Sequence, residues 1–251
     1  MLRSLKSLKG YSALTPEDEM GSVEDFFFDN KLWIIRYLVV KLDKQIPGKS
    51  VLVTPKALIK APDWETKSFV FDISSDMLAK CPDIDLKKPV NRQEEDKLLK
   101  HFSWPVYWQQ QSIYGSPVIT GINPGKITQE PEEEPEEKNV DPHLFSVQGL
   151  IKYKIQAKDG EVGNVEDIII DDETWQAHYL VIDTNSWLPG GKVLVDPSWV
   201  DEFEWKRESV RVSVTKETLK QSPVYDPSSP VNRGYETRLY DYHGRPKYWE
   251  K

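Results

Sequence analysis

Two small β-barrels in tandem, each followed by a short helical extension, are what three features of this sequence predict. The stretch Gly21 to Pro55, GSVEDFFFDNKLWIIRYLVVKLDKQIPGKSVLVTP, is written again at Gly163 to Pro197 as GNVEDIIIDDETWQAHYLVIDTNSWLPGGKVLVDP, 142 residues later and without a gap. Both stretches consist of short apolar, β-favouring runs separated by turn residues, the pattern of a small mainly β domain. After each, Pro-Val-Asn-Arg recurs at 89–92 and 230–233 and opens a segment with helical character. The organisation expected is a first barrel with extension over 1–108, a linker over 109–141 and a second barrel with extension over 142–251.

The elements follow in order. Leu2 to Lys9 reads as either helix or bent strand, and its twin from Leu144 to Lys152 tips it towards strand. Asp159-Gly160 supplies a hairpin turn in the second half, while Glu17-Asp18 at the same place in the first requires another form. VEDFFFD and VEDIIID are strands that close on an acidic turn and lead into long strands, WIIRYLVVK and WQAHYLVID. By the period of two, Trp175, Ala177, Tyr179 and Val181 share one face, and His178, Leu180 and Ile182 the other. Both faces are apolar, so part of the outside must be covered by the chain itself or by a partner. Pro-Gly turns at Pro47 and Pro189 lead into short strands stopped by Pro55 and Pro197. A last strand follows, SFVFDI or SVRVSV, and closure into a barrel would hide the strand edges. Ser74 and Thr215 then start short helices.

Composition bounds the function. The chain has 251 residues with 29% charged and 38% hydrophobic side chains, ordinary for a globular protein. Its net charge of -8 falls partly on the linker, whose run Glu130 to Glu137 with interspersed prolines reads as a self-repelling spacer. No basic face suited to nucleic acid is evident. No apolar run long enough for a transmembrane helix is present, since Asp29, Asn30, Lys31 and Arg36 interrupt the richest stretch. The basic start, MLRSLKSLKG, lacks the apolar core of a signal peptide. The single cysteine, Cys81, excludes an intramolecular disulfide, and its counterpart Ser222 argues for a small buried residue.

The words G-x-V-E-D-x-x-x-D, W-x-x-x-Y-L-V and V-L-V-x-P resemble the PRC-barrel family. That family includes the cytoplasmic part of the H subunit of purple bacterial photosynthetic reaction centres and the end of the ribosome maturation factor. The stretch Pro82 to Pro89 with Glu94 to Lys97 leans towards the H-subunit branch. The resemblance implies polar residues on the first strands that help pass protons towards a quinone, which here correspond to Asp29 and Asp171, then Arg36 and His178. The carboxylate expected three residues after the acid is Leu32 or Thr174 in this chain.

Other chemistry finds little footing. Glu24-Asp25 and Glu166-Asp167 sit on adjacent strand positions and read as an exposed polar edge. Asp171-Asp172-Glu173 reads as an acidic turn, and His101, His143, His178 and His243 have no metal spacing. No catalytic residue, metal or cofactor is expected, nor a pocket with convergent polar groups. Trp33, Trp64, Trp175 and Trp205 recur and read as packing. Trp187, on a turn, and Trp104, Trp108 and Trp249, at the ends of the extensions, are candidate partner contacts, the last three also reading as caps or as links between barrels.

The expectation is a non-catalytic adaptor or assembly module in the cytoplasm, reaching the inner membrane peripherally through a protein partner of a photosynthetic or other electron-transfer complex. A ribosome-maturation-type factor binding a small-subunit protein and a ligand-binding or enzymatic protein are the alternatives. If the linker is a solvated spacer, deleting Glu130 to Glu137 should leave Tm unchanged to within about 2 °C by calorimetry.

Overall fold

The computed structural model describes residues 1–42, 48–108, 142–184 and 191–250. The first half contains strands β1 (Leu2–Ser4), β2 (Ser12–Leu14), β3 (Glu19–Asp29), β4 (Ile34–Leu42), β5 (Lys49–Val53) and β6 (Ser68–Val70). Its helices are α1 (Leu5–Leu8), α2 (Ser75–Ala79) and α3 (Arg92–Phe102). The second half contains β7 (Leu144–Ser146), β8 (Lys154–Ala157), β9 (Gly160–Asp171), β10 (Ala177–Asp183), β11 (Lys192–Val195), β12 (Val200–Glu204) and β13 (Ser209–Val212). Its helices are α4 (Val147–Leu150), α5 (Lys216–Lys220) and α6 (Arg233–His243). Trp187, the Pro47 and Pro189 turns and the linker lie outside the described residues.

The protein is mainly β, with two sheets. One runs β5-β4-β3-β2-β6 and the other β11-β10-β9-β8-β13-β12. The pairs β2–β6 and β8–β13 are parallel and the remaining ladders antiparallel. Among the described residues no ladder joins the two ends of either sheet, so barrel closure by hydrogen bonds is not observed. The edges are managed in another way.

The long strands β3 and β9 outrun the short β2 and β8 that pair with their beginnings. The surplus edge of each is taken by the opening strand of the opposite half. Thus β7 pairs with Phe27–Asp29 of β3, and β1 pairs with Ile169–Asp171 of β9. The opening segment is therefore a three-residue strand followed by one helical turn, and it crosses over instead of extending its own sheet.

A polar lock fastens each crossing. Ser146 caps α4 by accepting from Gly149 N at 2.9 Å and donates its hydroxyl to Asp25, whose other oxygen accepts Gln148 N at 2.9 Å. In the mirror arrangement Ser4 caps α1, donates to Asp167, and Lys6 N reaches the same carboxylate at 3.0 Å. Leu5, Leu8, Val147 and Leu150 are buried beneath. Burying each Leu side chain stabilises the crossing by roughly 2 kcal/mol.

Asp25 and Asp167 are thus buried, contrary to the exposed edge read from strand alternation. The reason is a register shift: Val23 pairs with Val40 and Asp25 with Val39, leaving Glu24 as an extra residue, and Glu166 is skipped in the same way. Such a bulge resets which face the next side chain takes. The apolar outer faces of β4 and β10 are covered as anticipated, by α3, which buries Leu98, Leu99 and Phe102, and by α6, which buries Leu239 and Tyr240.

The halves also meet at a seam. Ile35 N donates to Trp175 O at 2.9 Å and Ala177 N to Trp33 O at 2.7 Å. Trp33 and Trp175 hold φ of 54° and 60°, a left-handed conformation unusual for a bulky residue. Their rings justify it: Trp33 stacks on Phe28 and meets Phe203 of the second half edge-on, while Trp175 lies against Phe69 of the first.

Burial raises the carboxyl pKa of both Asp25 and Asp167 above 3.8, even though the arm donors oppose it. The native state therefore holds these protons more tightly than the unfolded chain. Their contribution to stability is complete below the unfolded value and is lost as pH rises through the folded one. Asp25→Asn/Asp167→Asn should gain Tm relative to wild type as pH is raised from about 3 to about 7. A flat or reversed difference would reject burial as the dominant influence.

Candidate functional site

Asp29 and Asp171 stand at the ends of β3 and β9, and both shape the turn that follows. Asp29 Oδ1 accepts from Lys31 N at 2.9 Å and Leu32 N at 3.0 Å. Asp171 Oδ1 accepts from Glu173 N at 3.1 Å and Thr174 N at 2.8 Å. Burial by itself would raise the Asp171 pKa, but the donors of Thr174 and Glu173 outweigh it and hold the carboxyl below its ordinary value. These turns deliver Trp33 and Trp175 to the seam.

Arg36 and His178 are equivalent for a reason that period-two counting misses. Phe27 pairs with Tyr37 and Phe28 with Ile35, so Arg36 has no partner in the ladder, and His178 is skipped likewise between Ala177 and Tyr179. Each bulge presents its side chain to the aromatic tail behind the helix. The Arg36 guanidinium lies 3.8 Å from the Tyr107 ring centroid, with Nη2 3.7 Å from Asp29. The His178 ring is 4.4 Å from that of Tyr248. Burial lowers the His178 pKa, which nearby Asp171 only partly opposes. The structure therefore brings Asp29 to Arg36 and holds the corresponding pair in the same frame.

The tail tryptophans fold back on their own halves. Trp104 stacks on Phe102 at 4.3 Å, Arg92 lies 4.4 Å over Trp108, and Arg233 lies 4.2 Å over Trp249. Among the described residues these contacts lie within each half and cap its helix. Cys81 is buried and its pKa is pushed up to about 11 by burial, which keeps it a neutral thiol.

A buried acid in each half escaped the sequence reading. Glu95 of α3 is fully buried and receives Tyr37 OH at 2.8 Å, Arg92 Nη1 at 3.1 Å and Tyr107 OH at 3.3 Å, with His143 Nε2 at 2.7 Å. Glu236 of α6 receives Tyr179 OH and Tyr248 OH, both at 2.8 Å, and pairs with Arg233 at 3.1 Å. Burial and then the adjacent Glu95 push the Tyr37 pKa well above its ordinary value, so the phenol remains a donor. The available signal was that Pro-Val-Asn-Arg is followed by Glu three residues after the Arg in both halves.

Two clefts flank the seam at positions related by the same repeat. The first, of about 870 Å³, lies between β4, the tail at Trp104 to Tyr107 and the turn Glu173 to Trp175 of the second half. Arg36, Lys56 and Lys60 line it, with Glu173 opposite. The second, of about 460 Å³, has His178, Ser198 and Glu202 at the corresponding positions, with Asp196, Asp201 and Lys31. The expectation that convergent polar groups would be missing is not met. The roof of each cleft is a turn contributed by the other half, which a half-by-half reading cannot foresee.

Removing Glu95 strands four partners, two phenols, a guanidinium and an imidazole, in a buried site. Glu95→Ala should therefore lower stability by about 3 kcal/mol, against about 1 kcal/mol or less for Glu94→Ala, which is half-buried and gives up only its capping-box bond, in urea unfolding. Equal effects would show that the cluster is not a stabilising centre.

In the comparison with known proteins, the model of the PRC-barrel domain family matches residues 142–219, from just before β7 into α5. No curated protein matches the chain. The second half is thus similar to a PRC-barrel domain over its β elements, a resemblance that points to a binding or adaptor role.

Proposed function

We propose that this chain is a non-catalytic adaptor or assembly module formed from duplicated PRC-type halves, akin to the reaction-centre H subunit and serving a photosynthetic or other electron-transfer complex. The observation that carries this reading is the pair of repeat-related clefts with opposite charge on one interlocked frame. Reciprocal strand exchange fixes the two halves relative to each other, while the surfaces beside the seam have diverged. A rigid body with two unlike faces is suited to holding two partners in register. Exposed Ile59 and Val224, 52% and 56% accessible, line neither cleft and offer further apolar contacts.

In this reading Asp29 and Asp171 build the frame, and Arg36 and His178 face the clefts. The two aspartates spend their carboxylates on the turns, Arg36 and His178 stack on tail rings, and no relay of protons is assigned to any of the four. No described helix is long and apolar enough to cross a membrane. Membrane association would therefore come through a protein partner.

The test is affinity purification of the tagged full chain from gently lysed native cells after brief crosslinking. Reaction-centre or quinone-enzyme subunits are the expected companions, with part of the protein sedimenting with membranes. Recovery with small-subunit ribosomal proteins would replace this reading by an assembly-factor role, and the absence of any specific companion would reject the adaptor.

A further inference from the structure

The two clefts share a backbone frame, which makes their differences informative. Arg36, Lys56 and Lys60 of the first correspond at the 142-residue offset to His178, Ser198 and Glu202 of the second. The second half builds the same bulge at His178 and the same capped turn at Ser198 without these cations, while Glu202 lies in β12, which has no counterpart strand at Lys60. The cations at Arg36 and Lys56 are therefore not a requirement of the fold.

The first cleft also has the makeup of a small-molecule site. Its volume falls in the range that encloses a compact organic ligand. Ile34, Leu58, Trp104 and Trp175 supply apolar and aromatic walls. Arg36 is held by its stacking on Tyr107, yet its Nε is buried without a hydrogen-bond partner and its contact to Asp29, at 3.7 Å, is longer than a hydrogen bond. A guanidinium with unspent donors, fixed in orientation, is the group best matched to a carboxylate or sulfonate. Lys56 and Lys60, both exposed, add positive potential, and Glu173 is the one acid lining the cleft against these three cations.

We propose that the cleft between β4, the Trp104–Tyr107 tail and the Glu173 turn binds an amphipathic organic anion, a carboxylate or sulfonate on an apolar or aromatic body. Its charged head sits towards Arg36, Lys56 and Lys60, and its body lies against Trp104 and Leu58. The second cleft, with His178, Ser198 and Glu202 in place of the cations, does not share this preference. The proposal goes beyond the adaptor reading and stands without it, because it concerns the purified chain alone.

The test uses two fluorescent probes with the same ring body, 8-anilinonaphthalene-1-sulfonate and the uncharged N-phenyl-1-naphthylamine, titrated into the full chain. The sulfonate should bind saturably with Kd on the order of 10 µM, at least about tenfold more tightly than the neutral probe. Lys56→Glu/Lys60→Glu should weaken the sulfonate at least about tenfold and change the neutral probe by less than about twofold. Thr54→Asp/Lys60→Glu, which installs the residues that the second half carries at 196 and 202, should weaken it in the same direction, and Asp196 keeps a backbone cap there as Thr54 does. Circular dichroism should show both variants folded, and the Tm of Lys56→Glu/Lys60→Glu should match wild type, since both lysines are exposed. No saturable sulfonate binding below about 1 mM, equal affinity for the two probes, or unchanged affinity in both folded variants would overturn the proposal.

Discussion

The carboxylates of Asp25 and Asp167 are each closed over by a strand and a helical turn that come from the opposite half of the chain. Everything else in the architecture leans on that exchange. It covers the surplus edges of β3 and β9, which would otherwise present unpaired backbone groups. It also carries Leu5, Leu8, Val147 and Leu150 into the core. The serines whose hydroxyls accept the cap bonds of α1 and α4 also donate to the aspartates that tie the arms down, so local helix formation and long-range docking are one event.

A second constraint acts behind the sheets. In each half a helix brings a glutamate against the tyrosine of the long central strand, and the tail returns a second tyrosine to the same acid. A buried carboxylate is costly unless several donors converge on it, and here they do. The consequence is positional. Because Tyr107 and Tyr248 are held by the buried acid, they give Arg36 and His178 a fixed ring to stack on. The bulged residue and the tail thereby form a wall of each cleft, and the turn from the other half forms the roof.

The frame is repeated and the chemistry placed on it is not. Asp29 and Asp171, Trp33 and Trp175, and Glu95 and Glu236 do the same work in both halves, which leaves them little freedom to differ. The side chains facing the clefts bear no such load. Arginine and two lysines on one side stand where histidine, serine and glutamate line the other, with the bulge and the turn cap kept in both. Divergence in charge at the cleft faces is a reason to look there for what the protein recognises.

The sequence by itself determined most of the strands and the fact that two halves resemble each other, because period-two apolar runs and a constant offset are local or self-comparing signals. It also identified Asp29, Arg36, Asp171 and His178 as a matched set, and Trp33 and Trp175 as packing residues. Only the tertiary structure decided that Asp25 and Asp167 are buried, since bulges at Glu24 and Glu166 break the alternation on which facing was judged. The same holds for Glu95, an unremarkable helix acid until strand, tail and His143 converge on it. Which half an opening strand joins, and hence where the clefts lie, depends on the competition between two nearly identical edges. That choice is made by contacts more than a hundred residues apart along the chain, where no local pattern reaches.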